Sequence, residues 1–469
     1  MYKAYITVLT NVRKHPNADR LLLADVFGNT VCVSTEYSEG QLGVYFPTDG
    51  QLSTEFAEKN NLLRKKDDAG NNIGGYMDPD KRNVTAIRLR GEKSDGLFLP
   101  ISALNYCYAH GDASIELHMG DVIDGVVNGH EICCKYIPRS NTRRGTVTEG
   151  NRTRKKKVAT APLFAEHADT EQLAYNLSAF KPGDEVEITL KMHGTSQRTG
   201  YLPVFKGYKR TLIDKILRRE GKPIYDWGYV SGTRRVVLEN YEGGFYGDNQ
   251  FREQHSKVFE GKLNKGETVY YEVVGFTTSG QPIMGDANNK KLNDKEFIKQ
   301  YGEITRFSYG CSPAGTADLY GYEENGKLHL DETEPKQSDI YVYRMTMTNE
   351  DGFVVEYTPD FMRYRCEQMG VKTVPVFWKG TIEGKRVENN EITPGEWIKN
   401  IAEGFYDGPD PIGKTHVREG VVVRIINRPK FCAYKHKNWS FKCLSGIAIA
   451  DAEATGATEG MSEDMLAEM

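Results

Sequence analysis

Glu185-Val186-Glu187-Ile188-Thr189-Leu190-Lys191-Met192-His193-Gly194-Thr195-Ser196 is the stretch on which the reading of this chain turns. Val186, Ile188 and Leu190 alternate, which predicts a strand with one apolar face. Lys191 falls on the other face, at the strand's end, where a substrate can reach it. Gly194 lets the backbone turn sharply. Thr195 and Ser196 add hydroxyls and amides suited to a phosphate. A lysine amine is a nucleophile only when neutral, so a site that uses one must lower its pKa by desolvation or nearby positive charge. A solvated lysine at a strand end is the commoner reason for such a sequence, and only the rest of the chain decides between the two.

Further segments downstream carry chemistry of their own. Ser231-Gly232-Thr233-Arg234-Arg235 offers forked guanidinium donors for a phosphate or sugar, with Arg234 preferred over Arg235. In Glu267-Thr268-Val269-Tyr270-Tyr271-Glu272-Val273-Val274-Gly275, Glu272 interrupts an apolar strand, and a carboxylate there needs a partner or a metal. In Arg418-Glu419-Gly420-Val421-Val422-Val423-Arg424-Ile425, Glu419 shares its parity with Val421, Val423 and Ile425 and is predicted to point inward. Tyr434-Lys435-His436-Lys437-Asn438-Trp439-Ser440-Phe441-Lys442 puts Lys435 and Lys437 on one strand face. Two ammonium groups there can neutralise a phosphate as its leaving group departs. Lys442 is a third candidate, and the register within this segment is left open.

Taken together and in this order, these segments resemble the motifs of the covalent nucleotidyltransferases, a family of DNA ligases, RNA ligases and capping enzymes. The resemblance is to ATP-dependent RNA ligases of the nick-sealing branch. It implies that Lys191 attacks the α-phosphate of ATP and carries AMP as a lysyl adduct. AMP then passes to a 5′-phosphate, and a 3′-OH displaces it. By the same resemblance Tyr343, in Ile340-Tyr341-Val342-Tyr343-Arg344-Met345, stacks on the purine, and Leu190, His193, Gly194, Arg234, Glu272 and Lys442 border the nucleotide. Lys191, Glu419, Lys435 and Lys437 are the implied catalytic residues. Glu272 and Glu419 hold Mg2+ or Mn2+ through water, since magnesium keeps several waters and takes few direct protein ligands. Many of these ligases have an aspartate where this chain has His193. A DNA ligase and a GTP-using capping enzyme are the rival enzymes, although both place an OB domain after the last lysine motif and only a short tail follows here. A catalytically dead nucleic-acid-binding protein is the rival of another class.

The fold class expected is α+β: an N-terminal OB-like β-barrel followed by a nucleotidyltransferase domain, ATP-grasp-like, with antiparallel sheets and flanking helices. Short strands near 3–10, 22–26, 31–34, 42–46, 84–89 and 96–99, with a helix near 53–63, place the barrel in residues 1–105. This region resembles the OB-like module at the N-terminus of one branch of RNA ligases, and His15-Pro16-Asn17-Ala18-Asp19 resembles the tRNA-binding OB modules of some synthetases. Residues 106–160 are a basic connector, with Arg143, Arg144, Arg152, Arg154, Lys155, Lys156 and Lys157 able to meet phosphates. Residues 161–446 form the transferase domain and 447–469 an acidic tail. Helices are expected at 214–219 and 395–405.

The 469 residues allow two or three domains, and a net charge of −4 means that any nucleic-acid surface is local. The eight cysteines form no C-x-x-C pair and no zinc spacing, a reduced, cytoplasmic pattern. No signal peptide or long apolar run is present, so no membrane association is expected. RNA or an RNA-containing duplex is the expected partner, with no obligate protein partner. Gly408-Pro409-Asp410-Pro411-Ile412-Gly413-Lys414-Thr415 fits the pattern of a phosphate-binding P-loop, but a helix rather than a strand is expected before it, and two prolines remove amide donors. It is read as a decoy.

Overall fold

The computed structural model describes residues 2–70, 72–137, 159–168, 170–217, 221–238, 241, 246, 249–315, 322–324, 327–329, 336–383 and 392–455. The basic run at 143–157 and the tail beyond Thr455 lie outside them. The chain divides into two units. One comprises Met1–Pro138, Asn288–Glu303 and Trp439–Ile447, the other Arg139–Ala287, Ile304–Asn438 and Ala448–Met469.

In the first unit, Leu97–Pro100, Leu42–Phe46, Ala4–Val8 and Val122–Ile123 form a four-stranded antiparallel sheet in that order. Thr10–Lys14, Leu21–Val26 and Asn29–Ser34 form a separate three-stranded sheet. The strands expected here are present, but among the described residues the ladders remain separate and do not close into one barrel. Ile6, Val44, Phe46 and Phe56 are fully buried in one core. Phe56 comes from the helix Thr54–Lys59, whose first turn is capped by the Ser53 side chain. His15 is buried: its Nε2 lies 3.1 Å from the Leu89 carbonyl, and Nδ1 accepts the Asn17 amide at 3.0 Å. Its ring therefore braces the turn that follows it at Pro16 and Asn17.

The second unit contains two larger sheets. Its main elements are β1 (Glu185–Leu190), β2 (Thr195–Lys209), β3 (Lys222–Gly232), α1 (Gln250–Lys257), β4 (Glu267–Gly275), β5 (Ser338–Thr348), α2 (Pro359–Met369), β6 (Val376–Thr381), α3 (Pro394–Glu403), β7 (Gly420–Ile425) and β8 (Cys432–Lys437). Between β2 and β3 a short helix spans Leu212–Ile216. One sheet runs β8-β7-β1-β6, with the short strand Glu171–Gln172 parallel to β8. The other runs β3-β2-β4-β5 and continues to Val354–Glu356. The long pairings in both sheets are antiparallel. The result is a mixed structure of antiparallel sheets and flanking helices. Among the described residues no helix is long and apolar enough to cross a membrane.

The alternation read in β1 is what buries it. Val186 and Ile188 join Val421, Val423 and Ile425 of β7 and Ile398 and Ala402 of α3 in one core. Helix α3 begins with a capping box in which Thr393 and Glu396 satisfy each other's backbone amides. On the opposite face of β1, Glu187 is 3% exposed and receives two bonds from Arg363 of α2, at 3.1 and 2.7 Å. A buried carboxylate is tolerated only with such a partner.

His255 of α1 is fully buried, with Nε2 2.9 Å from Ser338 Oγ. Burial first, then the Arg252 and Lys336 charges, push its pKa down to about 3, so it folds neutral. The unfolded chain takes up a proton near pH 6.5. The stability tied to this ring is therefore complete above that pH and is lost as pH falls toward 3, at about 1.4 kcal/mol per pH unit. In urea titrations at pH 7 and pH 5, His255→Gln should lose about 2 kcal/mol less between the two than the native protein; equal losses would show that this imidazole titrates normally in the fold.

Candidate active site

Lys191 to Gly194 carry the chain from one sheet to the other. β1 ends at Leu190 in the first sheet and β2 begins at Thr195 in the second. The Lys191 amide donates to Gly420 O at 3.0 Å, which fixes the crossover to the start of β7. Gly420 sits at φ 144°, and a Cβ there would lie 2.1 Å from His436 O of β8. Only glycine lets β7 and β8 approach so closely beside Glu419.

The Lys191 ammonium meets Glu419 Oε1 at 2.8 Å. Lys437 Nζ reaches the same oxygen at 3.6 Å. Glu419 is 3% exposed. Burial alone would raise its carboxyl pKa, but Lys191 and Lys437, with His193 helping, hold it below the usual carboxylate range. It therefore stays charged. His193 Nδ1 faces the other oxygen, Oε2, at 3.8 Å. Burial pushes the His193 pKa down to about 3, with Glu419 opposing and Lys191 and Lys437 reinforcing the shift, so the ring is neutral. Lys435 and Lys437 face the same way on β8, opposite Val422 and Gly420 of β7.

Gly194 is required by packing. A Cβ there would lie 2.3 Å from Val273 O and 2.9 Å from Glu272 Cγ. Glu272 thus lines the face of the turn, opposite Ser196 in the β2–β4 ladder. Ser196 Oγ in turn lies 3.0 Å from Tyr343 Oη. Tyr343 is the extra residue of a β-bulge, because Tyr270 and Tyr271 of β4 pair with Arg344 and Val342. Such a bulge re-aims a side chain. His167 packs edge-on to Tyr343 at 5.0 Å, and its amide donates to Arg234 O at 3.4 Å. Burial and then Arg344, Arg234, Arg198 and Arg424 hold the His167 pKa well below its ordinary value, which places Arg234 in the same basic neighbourhood as Tyr343.

The residues fit a hydrated divalent ion. Glu419 Oε2 is buried and has no hydrogen-bond partner among the described residues, and such an oxygen accepts from an ordered or ion-bound water. Among the described residues no group of three or more His, Cys, Asp or Glu side chains could ligate a metal directly.

No family model matches the sequence, and no curated protein matches it either. Solved structures of an RNA ligase from Naegleria gruberi do match. A complex with pyrophosphate superposes at a TM-score of 0.52 and 16% identity, over 93% of this chain and 96% of that one. An apo variant gives 0.51 and 17%, over 94% and 97%. A variant with ATP and manganese gives 0.51 and 16%, over 94% and 98%. The chain has the fold of an RNA ligase.

Within that fold, the structure brings together Lys191, His193, Gly194, Glu419 and Lys437, with Glu272 and Tyr343 on the second sheet and Arg234 in the bend after β3. Arg235 is exposed. The segment Tyr434–Lys442 is not one element. β8 ends at Lys437, and a helix begins at Trp439. Lys442 belongs to the first unit, where it pairs with Asp95 at 2.6 Å. The decoy loop is a turn: Asp410 Oδ1 accepts the Ile412 amide at 2.8 Å, and Lys414 is exposed at φ 57°.

Two supports were not foreseen in the sequence. Tyr309 accepts the His193 amide on its hydroxyl at 2.7 Å. Burial and then Asp410, with Glu419 and Glu272, keep that hydroxyl protonated. Arg252 of α1 is fully buried and donates to Thr195 Oγ1 at 2.6 Å, Ser196 O at 3.3 Å and Gln197 Oε1 at 3.4 Å, while Gln197 Nε2 returns a bond to Arg252 O at 2.8 Å. It fastens the start of β2 from behind. Arg252→Met leaves these acceptors buried without their donor and should cost about 3 kcal/mol or more in urea unfolding. A loss under about 1 kcal/mol would mean that the guanidinium does not fix this strand.

Proposed function

We propose that this chain is an ATP-dependent RNA ligase that joins 3′-OH and 5′-phosphate ends through a lysyl-AMP intermediate at Lys191. The single observation behind this reading is the buried Glu419 carboxylate shared by Lys191 and Lys437 at the crossover between two sheets, in a fold common to a known RNA ligase. In the first step Lys191 Nζ forms a bond to the α-phosphorus as the bond to pyrophosphate breaks. An ammonium has no lone pair to attack with, so Nζ first releases a proton to solvent, and Glu419 Oε1 at 2.8 Å orients the group as it does so. Lys437, with Lys435 on the same strand face, offsets negative charge on the phosphate. Tyr343 supplies a ring for the purine, and Arg234 a guanidinium for phosphate or ribose. Glu419 and Glu272 would hold Mg2+ or Mn2+ through water, and the ion supplies charge neutralisation at the phosphates. AMP next passes to the 5′-phosphate of an RNA strand, and a 3′-OH then displaces it.

Residues 1–105 would serve as an OB-like nucleic-acid module, 106–160 as a basic connector, 161–446 as the transferase and 447–469 as an acidic tail. The four-stranded antiparallel sheet supports the first assignment. Eight free cysteines support a reducing, cytoplasmic setting.

Incubation with ATP and magnesium should add the mass of one AMP, and Lys191→Ala should abolish it; labelling of that variant would remove Lys191 as the nucleophile. GTP should not substitute for ATP, and nicks with RNA on the 3′-OH side should be sealed in preference to all-DNA nicks. Lys437→Ala and Glu419→Ala should each lower adenylylation by about 100-fold or more, whereas Lys442→Ala should leave it within about threefold of native. The reverse order would assign the last lysine motif to Lys442.

A further inference from the structure

The segment 408–415, whose sequence imitates a phosphate-binding loop, has its amides engaged on itself. Asp410 Oδ1 accepts the Ile412 amide at 2.8 Å and the Gly413 amide at 3.4 Å, and the Lys414 amide donates to Asp410 O at 3.0 Å. In a phosphate-binding loop such donors converge on the anion. Here they close the loop on its own residue Asp410. The Asp410 amide donates to His416 O at 2.8 Å, and the Arg418 amide donates to Gly408 O at 3.0 Å. The loop is thus shut at its base and runs directly into Glu419.

A second segment, 307–310, rests on this loop. Gly413 lies against its backbone: a Cβ there would lie 2.8 Å from Gly310 N and 3.2 Å from Tyr309 C. His416 is fully buried and packs edge-on against Tyr309 at 4.6 Å and Phe307 at 5.2 Å. Tyr309 sits at φ 49° and Gly310 at φ 80°. A bulky residue keeps to the left-handed region only where its surroundings over-determine it. Gly413 and His416 are part of those surroundings.

Segment 307–310 in turn grips the turn that follows Lys191 at two points. Phe307 lies edge-on to the His193 ring at 4.6 Å. The Tyr309 hydroxyl accepts the His193 amide at 2.7 Å. One loop therefore reaches the nucleophile by two routes. At its end Glu419 meets Lys191 Nζ at 2.8 Å, and through Tyr309 it holds the backbone two residues beyond Lys191.

We propose that Tyr309 is a positioning residue for adenylyl transfer, holding the turn from Lys191 to His193 so that the amine lies in line with the α-phosphate, and that the loop 408–416 is its seat and not a phosphate cradle. This rests on the RNA-ligase reading, since it says how that site's nucleophile is aimed. A small displacement of reacting atoms lowers a rate steeply. A hydroxyl bonded to a backbone amide can thus govern the rate of the step without touching ATP.

The test follows AMP labelling of the full chain by radiolabelled ATP and magnesium in a single turnover. It reads the rate constant at saturating ATP, the half-saturating ATP concentration and the final labelled fraction. Tyr309→Phe should lower the rate constant about tenfold or more, with the other two readings within about twofold of native. Asp410→Ala, which releases the Ile412 and Gly413 amides, should lower the same rate constant. The double variant should be no slower than the slower single one, because both changes act through one contact. Lys414→Ala, on an exposed side chain, should leave all three readings within about twofold of native. A native rate constant in Tyr309→Phe would overturn the proposal, as would a loss confined to the labelled fraction, the mark of a merely structural part. Effects that multiply in the double variant would separate the loop from Tyr309 and overturn its role as a seat. A severalfold rise in half-saturating ATP for Lys414→Ala would make the loop a phosphate cradle after all. Native protein that takes up no AMP would instead sink the ligase reading, and this inference with it.

Discussion

One buried carboxylate organises the site. Glu419 is almost wholly removed from solvent, yet it stays ionised because Lys191 and Lys437 converge on one of its oxygens. A charge in such a place is tolerated only with close partners. Its placement needs Gly420, whose backbone lets β7 and β8 close together, and the bond from the Lys191 amide to Gly420 O. Lys191, Glu419 and Lys437 thus stand at the ends of β1, β7 and β8, neighbours in one sheet, while Glu272 and Tyr343 belong to the other.

The second sheet is braced to match. Arg252 ties Thr195, Ser196 and Gln197 to α1, and Tyr309 holds the His193 amide. These contacts use neutral acceptors and a protonated phenol, so they fix geometry without competing for the charge on Glu419. His193 is itself neutral. The negative charge at this end of the site is therefore concentrated on Glu419 and Glu272.

Much of this could be read from the chain, and the limits have physical causes. The alternation of Val186, Ile188 and Leu190 and of Val421, Val423 and Ile425 reports burial on one face, a local property, and both strands lie where it placed them. The early strands of the first unit were legible for the same reason, but the closure of a barrel depends on pairings between distant segments, and the described ladders remain separate sheets. The partner of Glu187 is Arg363, far along the chain, and no local pattern announces it. Arg252 lies on a short helix in a sequence that reads as polar, although its side chain is fully buried. Tyr343 depends on a bulge set by the opposing strand, which alternation within β5 cannot reveal. Lys442 was grouped with Lys437 by proximity in sequence, whereas a helix starting at Trp439 takes it into the first unit.

The crossover from β1 to β2 has one more consequence. Four residues can reach no more than about 14 Å when fully extended, and here both ends are pinned, by Gly420 on one side and Arg252 on the other. The two sheets cannot slide apart at this point. Farther along the same two sheets, Arg424 of β7 ties to Glu356 and to the Tyr357 carbonyl, so the crossover is joined by a second fixed tie between them. Lys191 is thus carried on a short strap whose two ends belong to different sheets, and its backbone is held by both.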